Sequence, residues 1–433
     1  MPSASSASSP VSDSDRLVPS NLWRNLDFRR LWVGQTSSQL GEHTCLVVLP
    51  LFAVLTLDAG AGQLGVLRAV GQAPALLLSL FVGAWVDGWS ARRVMVLADA
   101  GRALALGAAA VAGLLGRLGL TALFVVAFAV GTLSVFFDVA YQASLVRLVA
   151  RDQWVRGNSA LEGSRSAAQT GGPALGGALV SLLSAPVAAA SSALFFAMSF
   201  LSIRRIGRRE TIPASHSGRL SQVWRRIHEG LRCVAGDTSL RTVCLASAAF
   251  QFSLAAMMTV YLLFLPRELH LSGTAVGLAL ASMGPGALLG SMLAARLPSR
   301  FGYGVVLISA AASGDGAFLC VPVLHDSSAV TVSVLLAVNF VFGAGSQLVS
   351  VTVMAVRQSV TPDAMQGRAA ATITFAGMGL APLGSLLGGF LAQEWGLRTS
   401  LLATAAGMLL SPALMAASPL VRLGRSLPAP RSA

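Results

Sequence analysis

A chain of 433 residues with 54% hydrophobic and only 11% charged side chains falls well below the roughly one-quarter charged content of a soluble protein. Its 31 basic residues are all arginine and its net charge is +13, but the arginines sit in short stretches between apolar runs, so a nucleic-acid-binding domain is excluded. Without lysine there is no Walker phosphate loop and no Schiff-base chemistry, and the scattered cysteines and histidines lack metal-ligand spacing, so neither a cofactor nor a metal is expected.

Residues 1–20 are rich in Ser, Pro and Asp and read as a disordered tail, with no apolar core that would mark a cleaved signal peptide. Leu22, Trp23, Leu26 and Phe28 alternate with Arg24, Asp27, Arg29 and Arg30, the pattern of a short helix on the membrane surface. Apolar runs then predict twelve spans. Six cover 31–56, 64–86, 94–115, 119–143, 160–182 and 185–203. Six more cover 242–265, 273–296, 304–323, 329–352, 367–391 and 398–420. The expected organisation is a bundle over 21–203, a basic cytoplasmic linker over 204–240, a second bundle over 241–421 and a tail over 422–433.

Glu42 and His43 interrupt the first span. A carboxyl at bilayer depth is costly and faces a cavity or a partner, so Glu42 is a candidate proton carrier, set against a structural bond to a neighbouring helix. Between spans two and three lies GAWVDGWSARR, in which Gly83, Asp87, Arg92 and Arg93 bring a carboxylate and two guanidiniums to the lipid boundary. Such charge-assisted contacts can latch helices together and release them. Asp99 and Arg102, at i and i+3 in span three, pair on one face and extend this latch. Asp138 in span four is the second proton-carrier candidate, set against a structural bond to an arginine.

Span five reads GSRSAAQTGGPALGG. Its glycines allow close helix approach and Pro173 permits a kink, a combination that either seals one end of a pathway or is ordinary small-residue packing. In the linker, Leu220, Val223, Ile227, Leu231 and Val234 share a helical face opposite arginines. The segment is either an in-plane helix on anionic lipid or a solvated connector. Asp315, Asn339 and Gln347 are expected to form interhelical hydrogen bonds.

The chain also repeats. GAWVDGWSARR returns as GSMLAARLPSR from Gly290, VARDQWVRGN returns as VTPDAMQGRA, and Gly176-Gly177 returns as Gly388-Gly389. All three offsets are about half the chain, which implies a parallel duplication of two six-helix halves. Arginines crowd the loops on the side of both termini, whereas only Arg68, Arg117, Arg267 and Arg398 fall on the other. Both termini are therefore expected in the cytoplasm.

The loop Gly83, Asp87, Arg92, Arg93 resembles the signature between helices two and three of the major facilitator superfamily, with Gly88 where that family usually has a basic residue. Gly163, Gly172, Pro173 and Gly177 resemble the antiporter motif of its exporters. Together with Asp99-Arg102 and FFDVAYQASL, these residues resemble the branch that includes drug, macrolide and siderophore efflux proteins. The resemblance implies an all-α membrane protein of twelve transmembrane helices in two pseudo-symmetric bundles, and it implies no enzyme. It implies a monomeric, multi-pass cell-membrane antiporter that uses protons to export a small amphipathic organic molecule. An importer or uniporter on the same fold, or a non-transporting receptor, are the alternatives.

Overall fold

The computed structural model describes residues 22–87, 89–148, 153–207, 220–361 and 365–425; the expected N-terminal tail and much of the linker lie outside them. The described residues contain helices and no strand. The first half is α1 (Leu26–Thr56), α2 (Ala61–Asp87), α3 (Ala91–Leu114), α4 (Leu120–Leu148), α5 (Trp154–Leu182) and α6 (Ala185–Arg204). The connector helix α7 (Leu220–Gly236) follows. The second half is α8 (Thr238–Arg267), α9 (Gly273–Ala281), α10 (Met283–Ala294), α11 (Leu297–Phe301), α12 (Tyr303–Gly316), α13 (Ala329–Val360), α14 (Gln366–Trp395), α15 (Leu397–Met408) and α16 (Leu410–Ala416). Ten helices or helix pairs are long and apolar enough to cross a membrane, and α2 and α5, at 27 and 29 residues, complete twelve crossings.

Two crossings of the second half are broken, each for the same steric reason. α9 ends four residues before Pro285 and α15 ends four residues before Pro412. A proline ring collides with the carbonyl four residues earlier and donates no hydrogen bond. At the first break the Ser282 hydroxyl donates to Ala279 O at 2.7 Å and Leu336 O at 3.0 Å, so the interruption costs fewer unmet carbonyls.

The expected surface helix before span one is not a separate element. A 3-10 turn at Leu22–Arg24 leads directly into α1, capped by the Asn25 side chain, which accepts from the Asp27 and Phe28 amides. Phe28 is fully buried and edge-packs with Trp23, which also meets Trp32. An N-cap and a buried aromatic together favour extending the helix over starting a second one. α7 exists where an amphipathic helix is expected and packs on α14 and α8. Val234 is its buried point and Leu231 is exposed; the side chains of Leu220, Val223 and Ile227 lie outside the described part.

The repeat in the sequence is a repeat in packing. α1 packs on α5 and α6, α3 on α4 and α6, and α2 on α4. Correspondingly, α8 packs on α14, α15 and α16, α12 on α13, and α10 on α13. The halves then meet twice, α5 against α9 and α14 against α2. The face where α1 ends and α2 begins is called the far face below, and the face where the chain enters α1 the near face.

Candidate functional site

α3 carries Asp99 and Arg102 one turn apart, and both side chains are completely shut off from solvent. Buried charges persist only where their donors and acceptors are met. Asp99 Oδ1 accepts from Arg102 Nη2 at 2.5 Å and from Ser38 Oγ at 3.3 Å, while Oδ2 accepts from Ser199 Oγ. Arg102 also donates to Ser38 Oγ at 2.9 Å and to Ser134 Oγ at 3.1 Å. The Phe137 and Phe196 rings lie 4.6 and 4.3 Å from its guanidinium carbon, close enough for cation–π attraction. Residues from α1, α3, α4 and α6 thus converge on one guanidinium.

Glu42 stands one turn beyond Ser38 on α1. Its Oε2 is 3.8 Å from Arg102 Nη1, beyond hydrogen-bond length, and this buried oxygen has no hydrogen-bond partner among the described residues. The Glu42 side chain keeps 27% of its surface, against none for Asp99 and Arg102. Asp138, one turn beyond Ser134 on α4, is within Coulombic reach of Glu42, Arg102 and Arg165. Two carboxylates therefore lean on a guanidinium already committed to Asp99. Two turns before Glu42, Gln35 is 1% exposed, and neither end of its amide has a described partner. Such an orphaned buried amide is the mark of an ordered water or a ligand group.

The loop motif lies elsewhere. Ser90 caps α3, and Arg92 Nη2 donates to Arg204 O at 2.7 Å, which ties this end of α3 to the end of α6. Arg93 is exposed. Gly88 and the side-chain surroundings of Gly83 and Asp87 lie outside the described residues. Asp99 and Arg102 sit with Glu42 in the core of the first half.

The span-five glycines do two different jobs. A Cβ at Gly172 would lie 2.6 Å from His43 Cβ, and one at Gly176 would lie 2.9 Å from Thr44 O, so both positions seat α5 on α1. Gly177 faces the other half and abuts Gly273 and Gly277 of α9. Gly163 has nothing within 4 Å. Pro173 O lies 2.7 Å from where a Gly277 Cβ would be. The glycine contacts, hydrogen bonds and ion pairs that join the halves include a set between the far face and mid-helix. They run from Asp58–Arg267, at 2.8 Å, to the Thr170–Gly284 and Leu76–Gly379 contacts. These contacts hold the halves together toward the far face.

In the second half, Asp315 is 3% exposed with Oδ2 unpaired, and Asn339 donates to Tyr261 Oη at 2.7 Å. Sequence reasoning missed Ser38, Ser134, Ser199, Phe137 and Phe196. The only sequence signal was the four-residue spacing of Ser38 and Glu42 and of Ser134 and Asp138.

Two six-helix bundles, joined by small-residue seams and holding buried charge between helices, define a membrane transporter of the major facilitator type. The chain belongs to the family described as transmembrane secretion effector, whose pattern matches residues 20–429. The multidrug efflux pump Tap of Mycobacterium tuberculosis is 28% identical over 393 residues, covering 84% of this chain and 87% of that protein. Tap of Mycolicibacterium fortuitum is 26% identical over 378 residues, covering 86% and 90%. Among solved structures, a bacterial homologue of the iron transporter ferroportin in its inward-facing state superposes with a TM-score of 0.73, at 18% identity, over 92% of this chain and 99% of that one. The nucleoside transporter NupG superposes with a TM-score of 0.69 at 15% identity, over 91% and 98%. These structures share the fold.

Proposed function

We propose that this protein exports a small amphipathic organic compound, of the drug, antibiotic or siderophore kind, across the cytoplasmic membrane in exchange for protons. The observation that carries the reading is Glu42. Its buried oxygen stands 3.8 Å from a guanidinium already satisfied by Asp99 and has no hydrogen bond of its own. A carboxyl so placed binds a proton without first breaking a strong pair. Asp138 is the second carrier. The names of the efflux relatives support the export direction.

Alternating access follows from treating residues 21–203 and 241–421 as two bodies that rock on the α5–α9 and α2–α14 seams. The Arg92 tie to α6, with Gly83, Asp87 and Arg93, is the near-face latch; Asp99 and Arg102 brace the first body; Gly172, Pro173 and Gly177 belong to the seal, while Gly163, the first residue of the motif, packs against nothing. With both termini cytoplasmic, as the arginine bias favours, the sealed far face is external and the state is inward-facing. α7 lies against anionic inner-leaflet lipid, and the transporter works as a monomer. One proton entering down 100 mV supplies about 2.3 kcal/mol, close to fiftyfold accumulation of an uncharged compound.

The test is proton flux in vesicles holding the full-length protein, with Glu42→Gln and Asp138→Asn. Loss of cargo-driven proton movement in either variant supports the assignment. Undiminished coupling in both removes these carboxyls as carriers.

A further inference from the structure

The arginine census of the loops places Arg68 at the far boundary, but the structure places it inside α2, in the second turn, about 10 Å along the helix from Ala61. Its helical neighbours say which way it faces. Gly65, one turn earlier, packs against Ser385 and Gly389 of α14, where a Cβ would come 2.8 Å from Ser385 O. Gln72, one turn later, accepts a hydrogen bond from Ser385 Oγ at 3.4 Å. Leu64 and Leu67 are buried, whereas Gln63 and Leu77, on the opposite side of the helix, are exposed. Arg68 therefore sits on the protein-facing side of α2, beside the seam between the halves.

Nothing described there answers its charge. Arg68 Nε is shut off from solvent with no hydrogen-bond partner, and no described carboxylate pairs with the residue. The residue is half-buried, between the Gly65 and Gln72 contacts with Ser385 of the other half. Arg102, the fully buried arginine of the first half, also has an unpartnered Nε, but its two Nη atoms have Asp99, Ser38 and Ser134 as acceptors. A guanidinium in a membrane interior without a counter-charge is costly, and at a seam between the two halves it is placed to take its counter-charge from a bound ligand. Its planar fork suits a carboxylate, sulfonate or phosphonate better than any neutral group.

We propose that Arg68 is the counter-charge for an anionic group on the transported compound, so that the cargo class includes organic acids and amphipathic carboxylates. This rests on the export reading above. It also gives the charge a part in the cycle. An uncompensated cation at the α2–α14 seam opposes closure of the far face, and a bound anion relieves that opposition. The compound loaded from the near face thus favours the closed far face it needs while loading.

The test uses purified full-length protein in nanodiscs, with thermal unfolding and tryptophan fluorescence as readouts and benzoate, benzamide and chloride as probes at matched ionic strength. Benzoate is expected to raise the melting temperature and to bind at least tenfold more tightly than isosteric, neutral benzamide. Arg68→Gln is expected to abolish that preference, Arg68→Lys to keep part of it, and the exposed-loop control Arg117→Gln to keep it in full. An Arg68→Gln protein that still melts cooperatively and still prefers benzoate overturns the proposal, as does equal binding of the two probes to the wild type. If chloride alone reproduces the whole effect, Arg68 holds an inorganic anion and the cargo assignment falls. Benzoate binding without proton-coupled flux instead removes the export reading and leaves the anion site standing.

Discussion

Gly177 and Gly389 stand at equivalent places in the two halves, 212 residues apart, and each lays its helix against a glycine of the opposite half. Gly177 on α5 meets Gly273 and Gly277 on α9; Gly389 on α14 meets Ala61 and Gly65 on α2. One residue earlier, Gly176 seats α5 on Thr44 of α1, and Gly388 seats α14 on Ala256 of α8. The duplicated pair therefore holds each helix to its own bundle with one glycine and to the other bundle with the next. Two such seams, related by the pseudo-symmetry, join the halves, and in the proposed cycle they are the axle about which the halves tilt.

Filling one seam tests the axle. A Cβ at Gly389 would lie 2.8 Å from Ala61 O and 2.9 Å from Gly65 Cα, both backbone atoms that cannot rotate away. Gly389→Val is expected to disfavour the closed far face by about 1–3 kcal/mol, the usual cost of overpacking. Transport is expected to fall about tenfold or more while the protein still inserts. Cysteine-labelling accessibility from the far face is expected to rise. Gly163→Ala, where nothing lies within 4 Å, is the matched control and is expected to be silent.

The Arg102 cluster carries a different expectation. Removing one member of a fully buried ion pair strands the other, so Arg102→Ala is expected to cost about 3–5 kcal/mol of stability. Ser199→Ala removes one hydrogen bond to Asp99 and is expected to cost about 1–3 kcal/mol. Glu42→Gln, whose carboxyl has no hydrogen bond to Arg102, is expected to melt close to the wild type and to lose coupling. Thermal unfolding in detergent beside vesicle flux separates these outcomes. A Glu42→Gln protein that melts as early as Arg102→Ala would recast Glu42 as a structural residue.

How much of this was readable in advance depends on how local the encoding is. The crossings and the duplication are written in runs of neighbouring residues, and most helix ends fall within about five residues of the apolar runs, although α5 begins six residues earlier and α13 ends eight later. α1 begins earlier than its run because Asn25 caps it and Phe28 is buried, both facts about single side chains. The breaks in the eighth and twelfth crossings precede Pro285 and Pro412, but Pro50, Pro74, Pro173 and Pro382 sit inside unbroken helices, so proline alone did not mark them. The setting of Arg102 was not legible either. Its partners come from four helices spread over residues 38 to 196, and serine and phenylalanine are too common in membrane helices to stand out. Arg68 was counted as a boundary charge because a linear census does not show which side of a helix faces the other half.

Outside the membrane, Asp326 gives a pH expectation. It accepts from Thr331 Oγ1 at 2.6 Å, Ser328 Oγ at 2.8 Å and the Ser328 amide at 3.3 Å. These hydrogen bonds, with that from Thr331 foremost, hold its carboxyl below the ordinary 3.8. A depressed carboxyl stabilises the fold above its unfolded value and loses that contribution as pH falls through the folded one. The start of α13, capped by Ser328, is therefore expected to be fully held at neutral pH and to loosen only below about pH 3.8. Amide exchange over residues 328–332 measures it, and Asp326→Asn is expected to show the fast exchange at neutral pH. Equal exchange in the two proteins at pH 7 would remove Asp326 from this role.

Asp58 and Arg267 join the halves across the far face. Arg267 Nη2 lies 2.8 Å from Asp58 Oδ1 and donates to Ala59 O at 2.9 Å. Asp58 holds a positive φ of 48°, and its side chain is 97% exposed, so the carboxylate is screened by water and the ion pair is worth at most about 1 kcal/mol. The carbonyl contact is partly buried and survives loss of the carboxylate. Asp58→Asn is therefore expected to change opening of this face by less than about fivefold, with a smaller difference from the wild type at high salt. Arg267→Gln loses both contacts and is expected to open it further, at any salt concentration. Single-molecule distances across the α1–α2 and α8–α9 loops report both. If the two variants open equally and both lose their effect in salt, the seal at this point is the exposed ion pair alone and the backbone contact contributes nothing.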